Sequence, residues 1–370
     1  YVVLYFGKCP SNFPFFLFVL CTGFKGEKKM FTVSLCVVAF NEQELIGKLL
    51  DNFLGQTYPK SLTEIVLVDS ASTDRTPEIF KKFREEHKYE YKDVILVDNP
   101  KKVLAPGWNN AITHSTGDII IRVDAHAEIP PEFVENNVRH HKEGEMVTGG
   151  ARPNIIDGST PFKQTLLMAE SSVFGSSAAD FRRNGKKRYV RSIFHGAYRR
   201  EVFEKVGLFN ESLTRTEDNE MNYRIRKGGY RLCLCPDIIS YEHTRSNLKK
   251  MLRQKYLNGY WVGRTKKICP GCINTYHLVP FVFVLGILAA ILLGFVSWIF
   301  PVLFFGCYFA AAIYMTVGAI KEKGDFHPLY LTLPILFFLL HTFYGVGTAV
   351  GFISLLTKPV KKEKPINGNK

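Results

Sequence analysis

The chain has 370 residues, of which 46% are hydrophobic and 22% are charged, so a packed core is expected and a wholly disordered chain is excluded. Lys and Arg number 48 against 34 Asp and Glu, which gives a net charge of +14. This excess predicts an anionic partner such as a nucleotide, a lipid phosphate, a membrane surface or a nucleic acid. The 8 Cys are too few for a disulfide scaffold.

The first 29 residues differ in pattern from the rest of the chain. They are aromatic and apolar but are interrupted by Lys8, Pro10 and Pro14, and no cleavage site typical of a signal peptide succeeds them. Met30 directly precedes the first strand-like run. We therefore expect residues 1–29 to lie outside the functional protein, an expectation that N-terminal sequencing of the native protein tests.

The next part of the chain alternates short apolar runs with segments of helical spacing. Alternation of this kind predicts an α/β domain whose sheet is mostly parallel and carries helices on both faces. Thr76 and Pro77 resemble the start of a helix. The predicted strands are 31–38, 64–69, 93–98 and 118–124, and the predicted helices are 45–54, 76–88 and 106–115.

In such sheets, ligands bind beyond the carboxyl ends of the strands, which selects the loops 39–42, 69–74 and 124–126. Asp69 alone is equally well explained as a cap of the next helix. Asp124 and His126, two residues apart at a strand end, are suited to direct two ligands at one divalent cation. These loops therefore predict one binding edge.

The C-terminal part of the chain is apolar. No Asp, Glu, Lys or Arg occurs in 278–320 or in 328–357, and a bilayer core needs about 20 apolar residues per helix. Residues 246–267 mix cations with aromatic residues, which is typical of an interfacial helix. The predicted organisation is an α/β domain at 30–245, an interfacial segment at 246–277, about three membrane helices at 278–357 and a basic tail at 358–370.

If the α/β domain is cytoplasmic, three full spans would place this basic tail on the opposite side of the membrane, against the positive-inside tendency. Either one apolar segment is re-entrant or interfacial, or the tendency fails here. Gly345, Gly347 and Gly351 lie within an apolar helix, where they predict close helix packing rather than a dinucleotide loop.

Six segments, in order, resemble family 2 glycosyltransferases of the GT-A fold, in particular the membrane-associated subgroup of succinoglycan-biosynthesis type. The resemblance covers about residues 31–265. The segments are VVAFNE (37–42), IVLVDSASTD (65–74), GWNNAI with STGD (107–118), RVDAHAEIPPEFV (122–134), FHGAYRREVFEKVG (194–207) and TEDNEMNYRIRKGGYRL (216–232).

The resemblance implies a role for each matching residue. Asp218 is the implied catalytic base, and Asp124 with His126 forms the implied site of a divalent cation, Mg²⁺ or Mn²⁺, that holds the donor diphosphate. The sequence departs from the family where it has Ala39, Ser70 and His126. The implied donor-binding residues are Ala39, Phe40, Asn41, Glu42, Asp69, Asn109 and Asp124, and the implied acceptor-side residues are Glu217, Arg253 and Gln254.

The resemblance implies an inverting, multi-pass glycosyltransferase of the plasma membrane with a cytoplasmic catalytic domain. It would move a sugar from a nucleotide-diphospho-sugar to a lipid-linked or other saccharide acceptor in polysaccharide synthesis, with membrane lipids as further partners. Transfer to a polyprenyl phosphate and a non-catalytic nucleotide-sugar-binding protein are the alternatives. Acids at the start of a solvated helix are the alternative explanation of 217–220.

Two further patterns stay open. The basic run 182–191 is either a solvated loop or a contact for lipid phosphate, and no recognition motif supports nucleic acid as a partner. Cys233, Cys235, Cys269 and Cys272 are either unpaired thiols, a zinc site or a redox pair.

Overall fold

A computed structural model describes residues 30–158, 160–175, 185–245 and 247–357. The hypotheses on residues 1–29, on Arg182 and Arg183 and on the tail 358–370 lie outside the described residues. From Phe31 onwards, the described chain forms one compact unit. It has mixed α/β architecture, as the alternating pattern predicts.

The core of the molecule is an eight-stranded sheet of order β3-β2-β1-β4-β9-β6-β10-β8, accompanied by a three-stranded sheet of order β5-β11-β7. Neighbours from β3 to β4 are parallel, whereas β9 runs antiparallel to β4 and β6. The strands are β1 (Val33–Ala39), β2 (Thr63–Asp69), β3 (Asp93–Asp98), β4 (Ile119–Asp124), β5 (Ala127–Glu128), β6 (Val147–Ala151), β7 (Asn154–Ile155), β8 (Arg188–Val190), β9 (Ala197–Arg199), β10 (Leu232–Ile239) and β11 (Tyr241–His243).

Helices cover both faces of the large sheet and continue into an apolar bundle. The predicted helix start at Thr76 is confirmed. The backbone N–H of Thr76, the first in the helix, donates to the side chain of Asp74. The helices are α1 (Ile46–Leu54), α2 (Thr76–His87), α3 (Leu104–His114), α4 (Phe133–Lys142), α5 (Pro161–Ser171), α6 (Arg200–Val206), α7 (Glu217–Lys227), α8 (Leu248–Ile268), α9 (Val279–Gly294), α10 (Ile299–Lys323) and α11 (Leu333–Thr357).

Alternate residues of the strands serve two hydrophobic cores. Leu35 and Val37 of β1 pack on the face covered by α1, α2 and α4. Cys36 and Val38 pack on the opposite face, where Trp108 of α3 is fully buried beside α6 and α7. Because each strand is buried on both faces, it reads as a continuous apolar run.

A third core joins the catalytic part of the chain to the apolar bundle. Leu166 of α5, Met251 of α8 and Phe337 of α11 are buried together. Lys255 and Glu170 form a buried ion pair of 2.6 Å between α8 and α5. A buried charge is stable only when it is paired, so this contact fixes how the two helices meet.

Three segments are long and apolar enough to cross a membrane, namely Thr275–Gly294, Ile299–Lys323 and Pro328–Thr357. The predicted close packing of the glycines in α11 is confirmed. A Cβ atom on Gly347 would lie 2.1 Å from the carbonyl oxygen of Tyr256, and one on Gly351 would lie 2.1 Å from that of Tyr260, both in α8. The backbones of α8 and α11 are therefore in direct contact.

Cys233 and Cys235 share one face of β10, with their sulfur atoms 3.5 Å apart. Both are free and buried, and Cys269 and Cys272 are also free thiols.

Candidate active site

The strand register brings the predicted carboxylates to one edge of the sheet. Ala39 at the end of β1 pairs with Asp69 on one side, and Val38 pairs with Asp124 on the other. Since neighbouring strands lie about 4.8 Å apart, Asp69 and Asp124 stand at the same edge, roughly 10 Å from each other. The convergence that the sequence predicts is confirmed for these two residues.

The first two loops at this edge are bonded to each other. The Asn41 N–H donates to Ser72 Oγ at 2.9 Å, and the Thr73 N–H donates to Asn41 Oδ1 at 2.8 Å. The Asp69 carboxylate accepts the Ser72 N–H at 3.2 Å. The Asp69 side chain thus stabilises its own loop, as a capping residue does, and it lies at the edge of the sheet. Phe40 is exposed beside it.

Backbone strain accumulates around the same edge. Asn41, Ala71, His195 and Thr216 all have positive φ, between 46° and 66°. Left-handed conformations of residues other than glycine cost free energy and occur preferentially at functional sites. Here they mark the two loops, the entry to β9 and the residue before α7.

Arg122 of β4 joins the two halves of the site. Its guanidinium is buried, lies 3.7 Å from Asp124 Oδ1 and 3.4 Å from Glu217 Oε1, and stacks 4.5 Å from the centroid of the Trp108 ring. Arginine is suited to this place because it binds carboxylates and packs on an aromatic face at once. Through Arg122, the start of α7 is fixed to the end of β4.

Glu217 and Asp218 begin α7 after the strained Thr216. Burial, together with the negative charge of Asp218, raises the pKa of Glu217 to about 7 although Arg122 opposes the shift. Asp218 is only half-buried, so its side chain remains partly accessible to solvent. The acids do lie at a helix start, as the alternative explanation has it, but the contact of Glu217 with Arg122 also joins them to the cleft.

Asp124 and His126 provide donors suited to a cation. Asp124 Oδ1 is buried and accepts no hydrogen bond from any described residue. Burial alone would raise the pKa of Asp124, but the His195 imidazole and the Arg122 guanidinium hold it well below its ordinary range. Glu42 Oε1 lies 3.2 Å from His126 Nδ1. Burial lowers the pKa of His126, yet Glu42 and Asp124 raise it above its usual value, so the place favours a positive charge.

A carboxylate oxygen suits both Mn²⁺ and Mg²⁺, whereas an imidazole is a less usual ligand for these hard cations, which commonly keep water and substrate phosphate as their other ligands. Within the described part of the chain, no group of three or more His, Cys, Asp or Glu side chains is arranged to hold a metal. The donor set therefore fits a cation whose coordination is completed by a bound diphosphate.

Two predicted donor-binding residues, Ala39 and Asn109, make hydrogen bonds to other parts of the protein. Ala39 is buried, and its carbonyl oxygen accepts the Ser70 N–H at 2.8 Å. The Asn109 amide donates to the Phe209 carbonyl oxygen and to Glu211 and accepts the Phe209 N–H. Both residues therefore support the site, and their direct contact with a donor stays a prediction.

The predicted acceptor-side residues Arg253 and Gln254 lie on α8. Side-chain hydrogen bonds join this helix to the segment before α7. Arg215 Nη1 donates to Asn258 Oδ1 at 2.9 Å, and the hydroxyl oxygens of Thr216 and Thr265 lie 2.6 Å apart. The apolar bundle therefore reaches the catalytic edge through α8.

Arg122 and His195 also belong to this site, although neither was predicted as a site residue from the sequence. His195 is buried, with Nδ1 2.8 Å from Ser240 Oγ and Nε2 3.6 Å from Asp124 Oδ2. A charge within the apolar run DIIIRVD is a signal that Arg122 needs a buried partner. No comparable signal marks His195.

A large, mostly parallel sheet with helices on both faces is the architecture of the GT-A fold. The mannosyltransferase PcManGT from Pyrobaculum calidifontis, solved in complex with GDP-Man and Mn²⁺, has this fold. It matches with a TM-score of 0.54 and 21% identity, over 87% of each chain.

Residues 34–207 match the family model "Glycosyl transferase family 2" and form a domain of that family. Two relatives are similar over most of their length. A dolichyl N-acetyl-alpha-D-glucosaminyl phosphate 3-beta-D-2,3-diacetamido-2,3-dideoxy-beta-D-glucuronosyltransferase of Methanococcus voltae is 28% identical and covers 87% of this chain and 97% of its own. The succinoglycan biosynthesis protein ExoA of Rhizobium meliloti is 28% identical and covers 80% and 89%. The protein is thus a membrane-associated glycosyltransferase, as the resemblance implies.

Proposed function

We propose that the protein is an inverting glycosyltransferase that moves a sugar from a nucleotide-diphospho-sugar to a lipid-linked saccharide at the cytoplasmic face of the plasma membrane. The observation that carries this proposal is the chain of contacts from Asp124 through Arg122 to Glu217 at the sheet edge. These contacts place the proposed donor-binding residue Asp124 near the start of α7, where Asp218 lies.

Asp218 acts as the general base. Its carboxylate takes the proton of the acceptor hydroxyl while that oxygen forms a bond to the anomeric carbon. The bond from this carbon to the diphosphate breaks on the opposite side, so the configuration inverts. The strained Thr216 and the contact of Glu217 with Arg122 orient the base.

Asp124 and His126 would hold the divalent cation, Mg²⁺ or Mn²⁺. When bound, it neutralises the negative charge that grows on the departing nucleoside diphosphate. Asp69 and the loop of Phe40, Asn41 and Glu42 bind the nucleoside. Hydrogen bonds within and between these loops hold them in position before the donor binds.

The acceptor is assigned from the apolar bundle and from the relatives. The Methanococcus relative is named for a dolichyl phosphate-linked acceptor, and the Rhizobium relative for succinoglycan synthesis. A catalytic edge bonded directly to α8 favours an acceptor at the membrane. Mild acid hydrolysis of the extracted product separates this proposal from transfer to a polyprenyl phosphate, since a sugar monophospholipid is acid-labile.

Release of nucleoside diphosphate from a panel of labelled donors tests the proposal. The full-length enzyme should release it with Mg²⁺ or Mn²⁺ and lose release with a chelator. Asp218→Asn should reduce sugar transfer by about 10²–10⁴-fold, the usual contribution of a general base. Glu204→Gln, which removes an exposed acid of α6, is the matched control and should keep wild-type rates.

Equal turnover by Asp218→Asn would reject Asp218 as the base. Donor binding without turnover in the wild-type protein would support a non-catalytic nucleotide-sugar-binding protein instead.

A further inference from the structure

The turn that ends α8 brings two cysteines together. Cys269 and Cys272 flank Pro270 and Gly271, and the Cys272 N–H donates to the Cys269 carbonyl oxygen at 3.2 Å. A hydrogen bond of this kind, between residues three apart, closes a β-turn, in which the outer Cα atoms lie less than about 7 Å apart. A disulfide joins residues whose Cα atoms are about 4.4–6.8 Å apart. The backbone of this turn is therefore compatible with a disulfide between the two cysteines.

The two thiols differ in exposure and in acidity. Cys269 is half-buried, whereas Cys272 is 3% exposed and is packed with Val262 and Ile273. A hydrogen bond from the Cys272 thiol lowers the pKa of Cys269 to about 7, although burial and the charge of Glu220 oppose this shift. The same hydrogen bond and burial raise the pKa of Cys272. Cys269 is therefore the more reactive thiol, and a lowered thiol pKa is typical of redox-active Cys-x-x-Cys motifs.

A zinc site, one of the explanations that the sequence left open, lacks further ligands at this turn. Cys233 and Cys235 belong to the core of the large sheet, whereas Cys269 and Cys272 belong to a separate cluster at the end of α8. Over the ranges that the structure describes, no three His, Cys, Asp or Glu side chains form a group that could hold a metal. A reactive dithiol is therefore the explanation that we test against inert thiols.

The turn is packed against α7, the helix that begins with the proposed base. A Cβ atom on Gly271 would lie 2.5 Å from the ring of Tyr223, so the backbone of the turn is in contact with this α7 side chain. The negative charges of Glu220 and Asp218 both act on the Cys272 thiol. A covalent bond draws two sulfur atoms closer than their nonbonded contact, so a disulfide requires the turn to adjust where it touches α7.

We propose that Cys269 and Cys272 form a redox-active dithiol, which a low-molecular-weight disulfide of the glutathione type oxidises to an intramolecular disulfide that slows sugar transfer. The inference goes beyond the proposed function, and only the effect on transfer rests on it.

The oxidation takes place in two exchange steps. The Cys269 thiolate attacks one sulfur atom of the small disulfide and displaces a thiolate, which leaves a mixed disulfide on the protein. The Cys272 thiol then loses its proton and attacks the Cys269 sulfur, and the second small thiolate leaves. The small disulfide is thereby reduced to two thiols, and the protein gives up two protons and two electrons.

Thiol blocking followed by peptide mass mapping tests the dithiol without a donor. The full-length protein in detergent is incubated with oxidised glutathione at neutral pH, and the remaining thiols are blocked with N-ethylmaleimide. Trypsin and chymotrypsin together release the peptide 268–276, which holds both cysteines. In the wild type this peptide should lose both blocked thiols, carry no glutathione and regain both thiols after treatment with dithiothreitol. Two unreacted thiols, or glutathione that stays on Cys269, would overturn the proposal.

Single variants test the order of attack. Cys272→Ser removes the second thiol, so Cys269 should keep one glutathionyl group. Cys269→Ser leaves only the buried thiol, which should stay unmodified. The matched control is Cys307→Ser, which removes an exposed thiol of α10 and should form the internal disulfide as the wild type does. Equal glutathionylation of Cys269 and Cys272 in their respective variants would contradict the assigned order.

Transfer assays test the contact with α7. The oxidised wild-type protein should transfer sugar more slowly than the reduced protein, dithiothreitol should restore the rate, and Cys269→Ser should not respond to the oxidant. If the internal disulfide forms and the rate is unchanged, the effect on transfer is wrong while the dithiol stands. If neither form of the wild type transfers sugar, the proposed function and the effect on transfer both fail, whereas the mass mapping still decides whether the dithiol is reactive.

Discussion

At the scale of single residues, Asp69 and Asp124 could be placed from the sequence, and Arg122 and His195 could not. Parallel strands end at a common edge, so a carboxylate directly after a strand has a predictable position. The partners of Arg122 come from both nearby and distant segments, Asp124 and Glu217, and neither periodicity nor spacing specifies such a pairing. The charge of Arg122 within an apolar strand shows only that a partner is needed.

Glu217 predicts a pH dependence of stability. Its pKa is raised from 4.5 to about 7 by burial and by Asp218, so between these values the folded protein holds a proton that the unfolded chain has released. A contribution to the free energy of unfolding is therefore complete below about pH 4.5 and is lost as the pH rises through 7. The unfolding temperature in detergent should fall less between pH 5 and 8 for Glu217→Gln than for the wild type. Glu204→Gln should behave like the wild type, and equal slopes for all three proteins would contradict the assignment.

At the scale of elements, the strands and helices before residue 125 are predictable from short apolar runs and helical spacing, because each element there is buried by its immediate neighbours. The bundle was less predictable. Gly347 and Gly351 indicated close packing, but their partners, the backbones of Tyr256 and Tyr260, lie on the charged helix α8. The contribution of α5 to the same core was not predicted, since its partners lie far along the chain.

The glycine contact between α8 and α11 predicts a sharp difference between two alanine substitutions. A Cβ on Gly259 would lie 2.0 Å from the Tyr344 carbonyl oxygen, so Gly259→Ala must separate the two helices. Overpacking of this kind costs about 1–3 kcal/mol. Gly306→Ala on α10 meets nothing within 4 Å and is the control. Thermal unfolding in detergent should show a lower midpoint for Gly259→Ala alone, and an unchanged midpoint would mean that the helices do not touch as described.

At the scale of the whole molecule, the three apolar segments are not equivalent. Most side chains of α9 and α10 are partly or fully exposed, whereas α11 exposes one face, with Val346, Val350 and Ile353, and presents the opposite face to α8. Length and composition alone cannot reveal this difference, because all three segments are similarly apolar. This difference between the helices helps to predict on which side of the membrane the basic tail lies, a question that the sequence alone leaves open.

The packing of α8 along α11 predicts that the chain crosses the membrane twice. α8 carries exposed Lys249, Lys250 and Arg253, and charges of this density are excluded from the hydrocarbon core. Gly345 of α11 also meets the backbone of α9, but Gly347 and Gly351 meet the backbone of α8. We therefore expect α11 to lie at the membrane surface with α8, while α9 and α10 form the crossing hairpin. The basic tail then stays on the side of the catalytic domain, in agreement with the positive-inside tendency. In a bacterial host, a C-terminal GFP fusion should fluoresce and a C-terminal alkaline phosphatase fusion should be inactive, and the reverse result would require α11 to cross.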